Sequence, residues 1–221
     1  MRTLAPALIL TIAIGAPHVV SAKFKFDERD EAYQAREAMK ALCMGHRLDR
    51  EATLRQAEAD GWMPLPDEGL PRLGSLQDVT SSLQLTNLTA RWKASHLGEM
   101  VLLLGDGGEA GPACGVAYQG PFKTASSVVG GHFMLPVRRF EVVSPTYHLW
   151  AFVEEPGKRR RAVKSYFGKV DHALIAAARA ARTLATIAVI GNPDAGGAVF
   201  LYSVPPPPGP PGGRAVPRPA G

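Results

Sequence analysis

The chain has 221 residues, 46% of them hydrophobic and 20% charged, a balance that excludes a charge-rich disordered polymer and suffices for one domain with a substantial core. Its 25 basic residues against 20 acidic ones give a net charge of +5, too mild to point to nucleic acid, and no specific nucleic-acid motif accompanies it.

The first residues carry three zones in order: a charged start at Arg2, an apolar run from Leu4 to Ile14, and a breaker region with Gly15 and Pro17. That order is the pattern of a secretory signal peptide, and Val20-Ser21-Ala22 supplies small residues one and three positions before a cut. Cleavage after Ala22 is therefore expected, with Lys23 as the mature N-terminus. The competing reading is an uncleaved anchor, but the apolar run is about half of the roughly 20 residues that a membrane span needs. Lys23 stands where a bacterial lipoprotein has Cys, and no second Arg adjoins Arg2. The signal is bacterial in style, which predicts a periplasmic protein, with secretion as the alternative. Removing residues 1–22 from 221 leaves 199. Residues 23–204 are expected to form a single α+β domain, and 205–221 a disordered Pro/Gly-rich tail without cofactor, metal or transmembrane helix anywhere in the mature chain.

Asp27 to Leu42 consists of strong helix formers, with Ala32, Ala35, Met39 and Leu42 along one apolar stripe. After Gly45, Asp49 can cap a second helix and Glu51 opposes its dipole. Gly61 ends that helix in the left-handed conformation and places Trp62 to pack back near Ala57, as in a Schellman motif. Beyond it, β-branched and aromatic residues between Gly, Pro and Asp punctuation predict strands at 88–94, 100–104, 114–118, 137–143, 147–154 and 161–167. The last two flank Pro156-Gly157 and read as a hairpin. Asp171 to Arg182 reads as a late third helix, with Leu174, Ala177, Ala178 and Ala181 on one face. Residues 183–190 are helix or strand; the β-formers Thr186, Ile187, Val189 and Ile190 favour the strand, paired through residues 191–197 with 199–204. The predicted fold is α+β: an N-terminal helical pair packed on an antiparallel sheet, a third helix late in the chain, and the tail.

Two cysteines, Cys43 and Cys114, both fall in the mature segment. In an oxidising compartment they read as one disulfide joining the helical pair to the sheet, the alternative being two separate buried thiols. Without a C-x-x-C, a thioredoxin-like role has no support.

Motifs that carry chemistry are sparse. Gly105-Asp106-Gly107-Gly108 lacks the G-K-[ST] ending of a phosphate loop and reads as a hairpin loop. The five histidines that remain after cleavage, His46, His96, His132, His148 and His172, lack zinc-ligand spacing. No G-x-S-x-G marks a serine nucleophile, and Glu154 and Glu155 fall on opposite faces if they lie in a strand. Asn87-Leu88-Thr89 matches a glycosylation acceptor, relevant only in a eukaryotic secretory pathway. The most distinctive charged feature is Lys158-Arg159-Arg160-Arg161, followed by Lys164, beside the Pro156-Gly157 turn. Lys158, Arg159, Arg160 and Arg161 are the candidate anion-binding residues, reaching phosphate-bearing partners through charge and bidentate contacts. The alternative is a solvated turn that discourages edge pairing.

With no catalytic motif, the expected function is that of an exported, non-catalytic envelope protein, a binding or structural module with weak contact to anionic surfaces. The rivals are an exported enzyme, such as a hydrolase whose site is assembled from remote residues, and an inhibitor of a secreted enzyme. A pocket with convergent polar groups around His132 or His148 would favour the enzyme.

Overall fold

The structure is a computed structural model that describes residues 28–66, 83–107, 111–133, 138–140, 146–155, 160–163, 172–191 and 196–207. The expected signal peptide and residues 208–221 of the expected tail lie outside the described residues.

The N-terminal pair forms as the sequence predicts. Helix α1 (Glu28–Met39) passes into a π-helical turn (Lys40–Met44), and α2 (Arg50–Ala59) follows. Within the π turn the three consecutive residues Leu42, Cys43 and Met44 are all buried. Arg47 and Leu48 then take left-handed backbone conformations (φ 50° and 66°) that redirect the chain into α2. Asp49 caps α2 by accepting from the Ala52 amide at 2.9 Å. At the other end Gly61 (φ 81°) donates to Glu58 and Trp62 donates to the Ala57 carbonyl, the bond pair of a Schellman motif.

One antiparallel sheet organises the rest. Its strands are β1 (Met63–Pro64), β2 (Thr86–Ala94), β3 (Glu99–Asp106), β4 (Pro112–Tyr118), β5 (Arg138–Phe140), β6 (Thr146–Val153), β7 (Arg161–Ala162), β8 (Leu184–Gly191) and β9 (Ala198–Ser203). The spatial order is β1-β2-β3-β4-β9-β8-β6-β5, with β7 also on β6. The predicted hairpin around Pro156-Gly157 pairs Phe152 with Ala162 and Val153 with Arg161. Residues 183–190 resolve as strand. Helix α4 (His172–Ala180) stops because Arg182, at φ 53°, serves as the left-handed terminus, and Thr183 donates back to Ala178. An arginine does here what glycine commonly does, so the sequence contains no breaker.

A further helix, α3 (Phe122–Phe133), has no counterpart in the sequence reading. Its Ser, Val and Gly residues are weak helix formers. Burial of Phe122, Ala125, Val128 and Val129 against the sheet supplies what propensity does not.

Alternation along the strands gives the sheet two buried faces. On one, Leu102, Cys114, Val116, Tyr118, Trp150, Phe152, Ile187, Phe200 and Tyr202 pack beneath α1, the π turn and α3. On the other, Val101, Leu103, Ala117, Ala188, Ile190 and Val199 form a second cluster, while α4 covers Ala151, Val153 and Leu184. Gly115 is required in the middle of β4, since a Cβ there would stand 2.7 Å from the Phe200 carbonyl oxygen. Cys43 and Cys114 form the disulfide, with α-carbons 5.4 Å apart, and so bind the π turn to the centre of the sheet. Among the described residues, no helix is long and apolar enough to cross a membrane.

Candidate functional site

Of the four candidate residues Lys158, Arg159, Arg160 and Arg161, the first two lie outside the described residues. Arg160 precedes β7 and Arg161 opens it, and each meets a carboxylate just beyond the end of β6. Arg160 donates through Nε at 2.7 Å and Nη2 at 2.6 Å to Glu154 Oε1. Its guanidinium also lies 5.5 Å from the Phe133 ring centre and 5.8 Å from that of Phe152. A charge-assisted bond combined with two aromatic faces fixes the group firmly. Arg161 makes a longer contact, 3.4 Å to Glu155 Oε1, and keeps 65% of its side chain exposed. It is thus the freer of the two to meet a partner.

The mount of Arg160 reaches into the core. Glu154 Oε2 accepts from the Tyr202 hydroxyl at 3.1 Å, and Tyr202 is the residue of β9 directly opposite Cys114. Burial, then the Glu154 charge and its hydrogen bond, push the Tyr202 phenol well above its ordinary value, so it stays protonated and donates. A continuous series therefore runs from the disulfide strand through Tyr202 and Glu154 to Arg160.

Helices α1 and α3 pack against one another. Arg36 bonds the Val128 carbonyl through Nη1 at 3.4 Å, and Lys40, the first residue of the π turn, bonds Glu37 at 2.9 Å. Burial opposes ionisation of Glu37, but the hydrogen bonds and charges of Lys40 and Arg36 outweigh it and hold the carboxyl below its ordinary value. His132, exposed near the end of α3, packs edge-on to Phe133 with ring centres 4.7 Å apart. Desolvation first, then the charges of Lys40 and Arg36, lower its pKa; Glu37 opposes them and Arg160 adds to them. In the sequence His132 stands as an isolated histidine, and neither Arg36 nor Lys40 is marked there as a site residue. Only their i, i+4 spacing, across the junction of α1 and the π turn, signals a shared face, and nothing in the sequence brings that face to Arg160.

His148 occupies a different setting. On β6 it is 9% exposed, with the ring edge-on to Phe122 (4.8 Å) and Trp150 (6.3 Å), and its Nδ1 makes a short hydrogen bond with Ser126 Oγ of α3. A hydroxyl on an imidazole is the first half of a nucleophile and base arrangement, and equally the ordinary way to satisfy a buried histidine. At the opposite end of α1 from Lys40, a cleft lined by Glu31, Gln34, Gly98, Glu99, Met100 and Tyr118 holds no more than about one water molecule. Among the described residues, no three His, Cys, Asp or Glu side chains gather as metal ligands. Asn87 of the glycosylation motif sits at a bulge of β2 (φ 51°), its amide donating to Asp106 at 2.8 Å.

Comparison with family models, curated proteins and solved structures finds no match.

Proposed function

We propose that this protein is an exported, non-catalytic envelope protein, a disulfide-braced α+β module of the periplasm that contacts anionic surfaces through Lys158, Arg159, Arg160 and Arg161. The observation that carries the reading is the Cys43–Cys114 bridge between π turn and sheet centre. Such bridges persist in oxidising compartments, which agrees with the signal-like N-terminus. The basic hairpin supplies the chemistry. Arg160 is held in one orientation by Glu154 and two rings, and Arg161 beside it stays largely in water.

Cosedimentation with vesicles containing anionic lipid tests the reading. The wild-type protein should pellet with them at low salt and release at high salt, because the Debye length shortens as salt is added. Replacing Arg159, Arg160 and Arg161 by Gln should abolish most of that binding. Equal binding by variant and wild type contradicts the assignment.

A second reading, an exported hydrolase, is favoured by the hydrogen bond between Ser126 and His148. It predicts that a fluorophosphonate probe labels the wild-type protein and not Ser126→Ala. Absence of labelling in the wild type counts against it.

A further inference from the structure

We infer that residues 204–206 form a strap that holds α4 closed over an apolar strip of the sheet, and that lifting the strap frees α4 without unfolding the strands. The inference is independent of the anion-binding reading.

Helix α4 has little hold of its own. Its nine residues are too few for a helix that stands alone in water, so packing must keep it formed. Yet among its described side chains Ala178 is the one that is buried, Ile175 is partly buried, and Ala173, Ala176, Ala177 and Ala180 are exposed. The strip beneath these two residues consists of Ala151, Val153, Val163 and Leu184. An alanine methyl and part of an isoleucine give a thin apolar contact for a whole helix.

The chain leaving β9 supplies a second hold. Arg179, in the last turn of α4, donates through Nε to the Pro206 carbonyl at 3.0 Å. The same segment lies close against Gly111, the residue before β4: a Cβ there would stand 2.8 Å from Pro206 Cδ and 2.9 Å from the Val204 carbonyl oxygen. Gly111 has φ 75°, and its carbonyl accepts from the Gly107 amide at 2.8 Å. Residues 204–206 therefore touch both α4 and the entry to the central strand β4. Pro205 within them is buried. Proline suits this position, because it brings no N–H that burial would leave unpaired, and its fixed φ lowers the entropy lost on ordering. The first prolines after β9 thus act as a tie, and Arg179 is where the tie reaches the helix. Release at that point uncovers the strip of Ala151, Val153, Val163 and Leu184, while the strand pairing of β4, β9 and β8 does not depend on it.

The experiment is native-state hydrogen exchange on the full chain, comparing the amides of α4, Ala181 and Thr183 with those of β3, β4 and β8. Arg179→Met removes the donor and keeps a good helix former. Gly111→Asn leaves α4 untouched and crowds the strap, with a residue that tolerates the left-handed backbone better than most. Exchange in α4 should rise about tenfold in both variants, as expected for the loss of one hydrogen bond from a charged group, while the strands keep their protection. Unchanged exchange in α4 overturns the strap. Faster exchange in the strands and α4 alike overturns its separate release. Acceleration in Arg179→Met alone shows Arg179 acting on the helix by itself and also overturns it.

Discussion

At the centre of the sheet, Leu102, Cys114, Val116 and Phe200 are sealed from solvent beneath α1 and the π turn, whereas at the hairpin Arg161 keeps 65% of its side chain in water. Stability in the first region comes from apolar burial and a covalent tie. Organisation in the second comes from ion pairs, of which the half-buried Arg160–Glu154 pair is tied to Tyr202, while the exposed Arg161 contact with Glu155 adds little to stability. The two regions are nevertheless neighbours, joined by Tyr202, which lies opposite Cys114 and holds Glu154. A rigid centre thus positions a charged end whose outermost residue, Arg161, contributes little to folding, and substitutions should separate the two: damage at the centre reads out as stability, damage at Arg161 as binding.

The largest expected effect is at the centre. The Cys43–Cys114 bridge spans 71 positions of the chain, and closing a loop of that size stabilises a fold by about 4 kcal/mol when the native geometry is unstrained. Replacing both cysteines by Ala should lower the urea midpoint correspondingly, measured against the oxidised wild type. A midpoint shift worth less than about 1 kcal/mol would show that the helical layer holds to the sheet by packing alone, and would break the contrast between the regions.

Much of this contrast was legible in the sequence, but unevenly. Cys43 and Cys114 were readable as a bridge because two cysteines allow one pairing. Asp49, Gly61 and Trp62 announced the limits of α2 because capping chemistry is local. Helix α3 was not legible, because its weak helix formers are held by burial that exists only once the sheet is built. The end of α4 was hidden for the opposite reason: Arg182 takes a backbone conformation that its identity does not advertise. Pairing of β4 with β9, some eighty residues away, depends on matching faces and leaves no local signal. At the site, the charge run at 158–161 was visible as composition, while the meeting of Arg160 and His132 with Phe133 arises from packing of α3 on the sheet. Likewise, Ser126 and His148 stand 22 residues apart, so only the contact of α3 with β6 brings them together.

The smallest effect on folding should accompany a clear effect on function, and Arg161→Gln is the variant in which to look for it. Arg161 is largely exposed and contacts Glu155 at 3.4 Å. Its loss should leave the urea midpoint within about 0.5 kcal/mol of wild type. Measured on the same preparation at low salt, partition onto anionic vesicles should fall about fivefold, the contribution of one cation near a charged surface. That pairing of unchanged stability with weakened binding is what the account predicts. Undiminished partition, with the fold equally intact, would contradict it and leave the basic hairpin as a solvated turn.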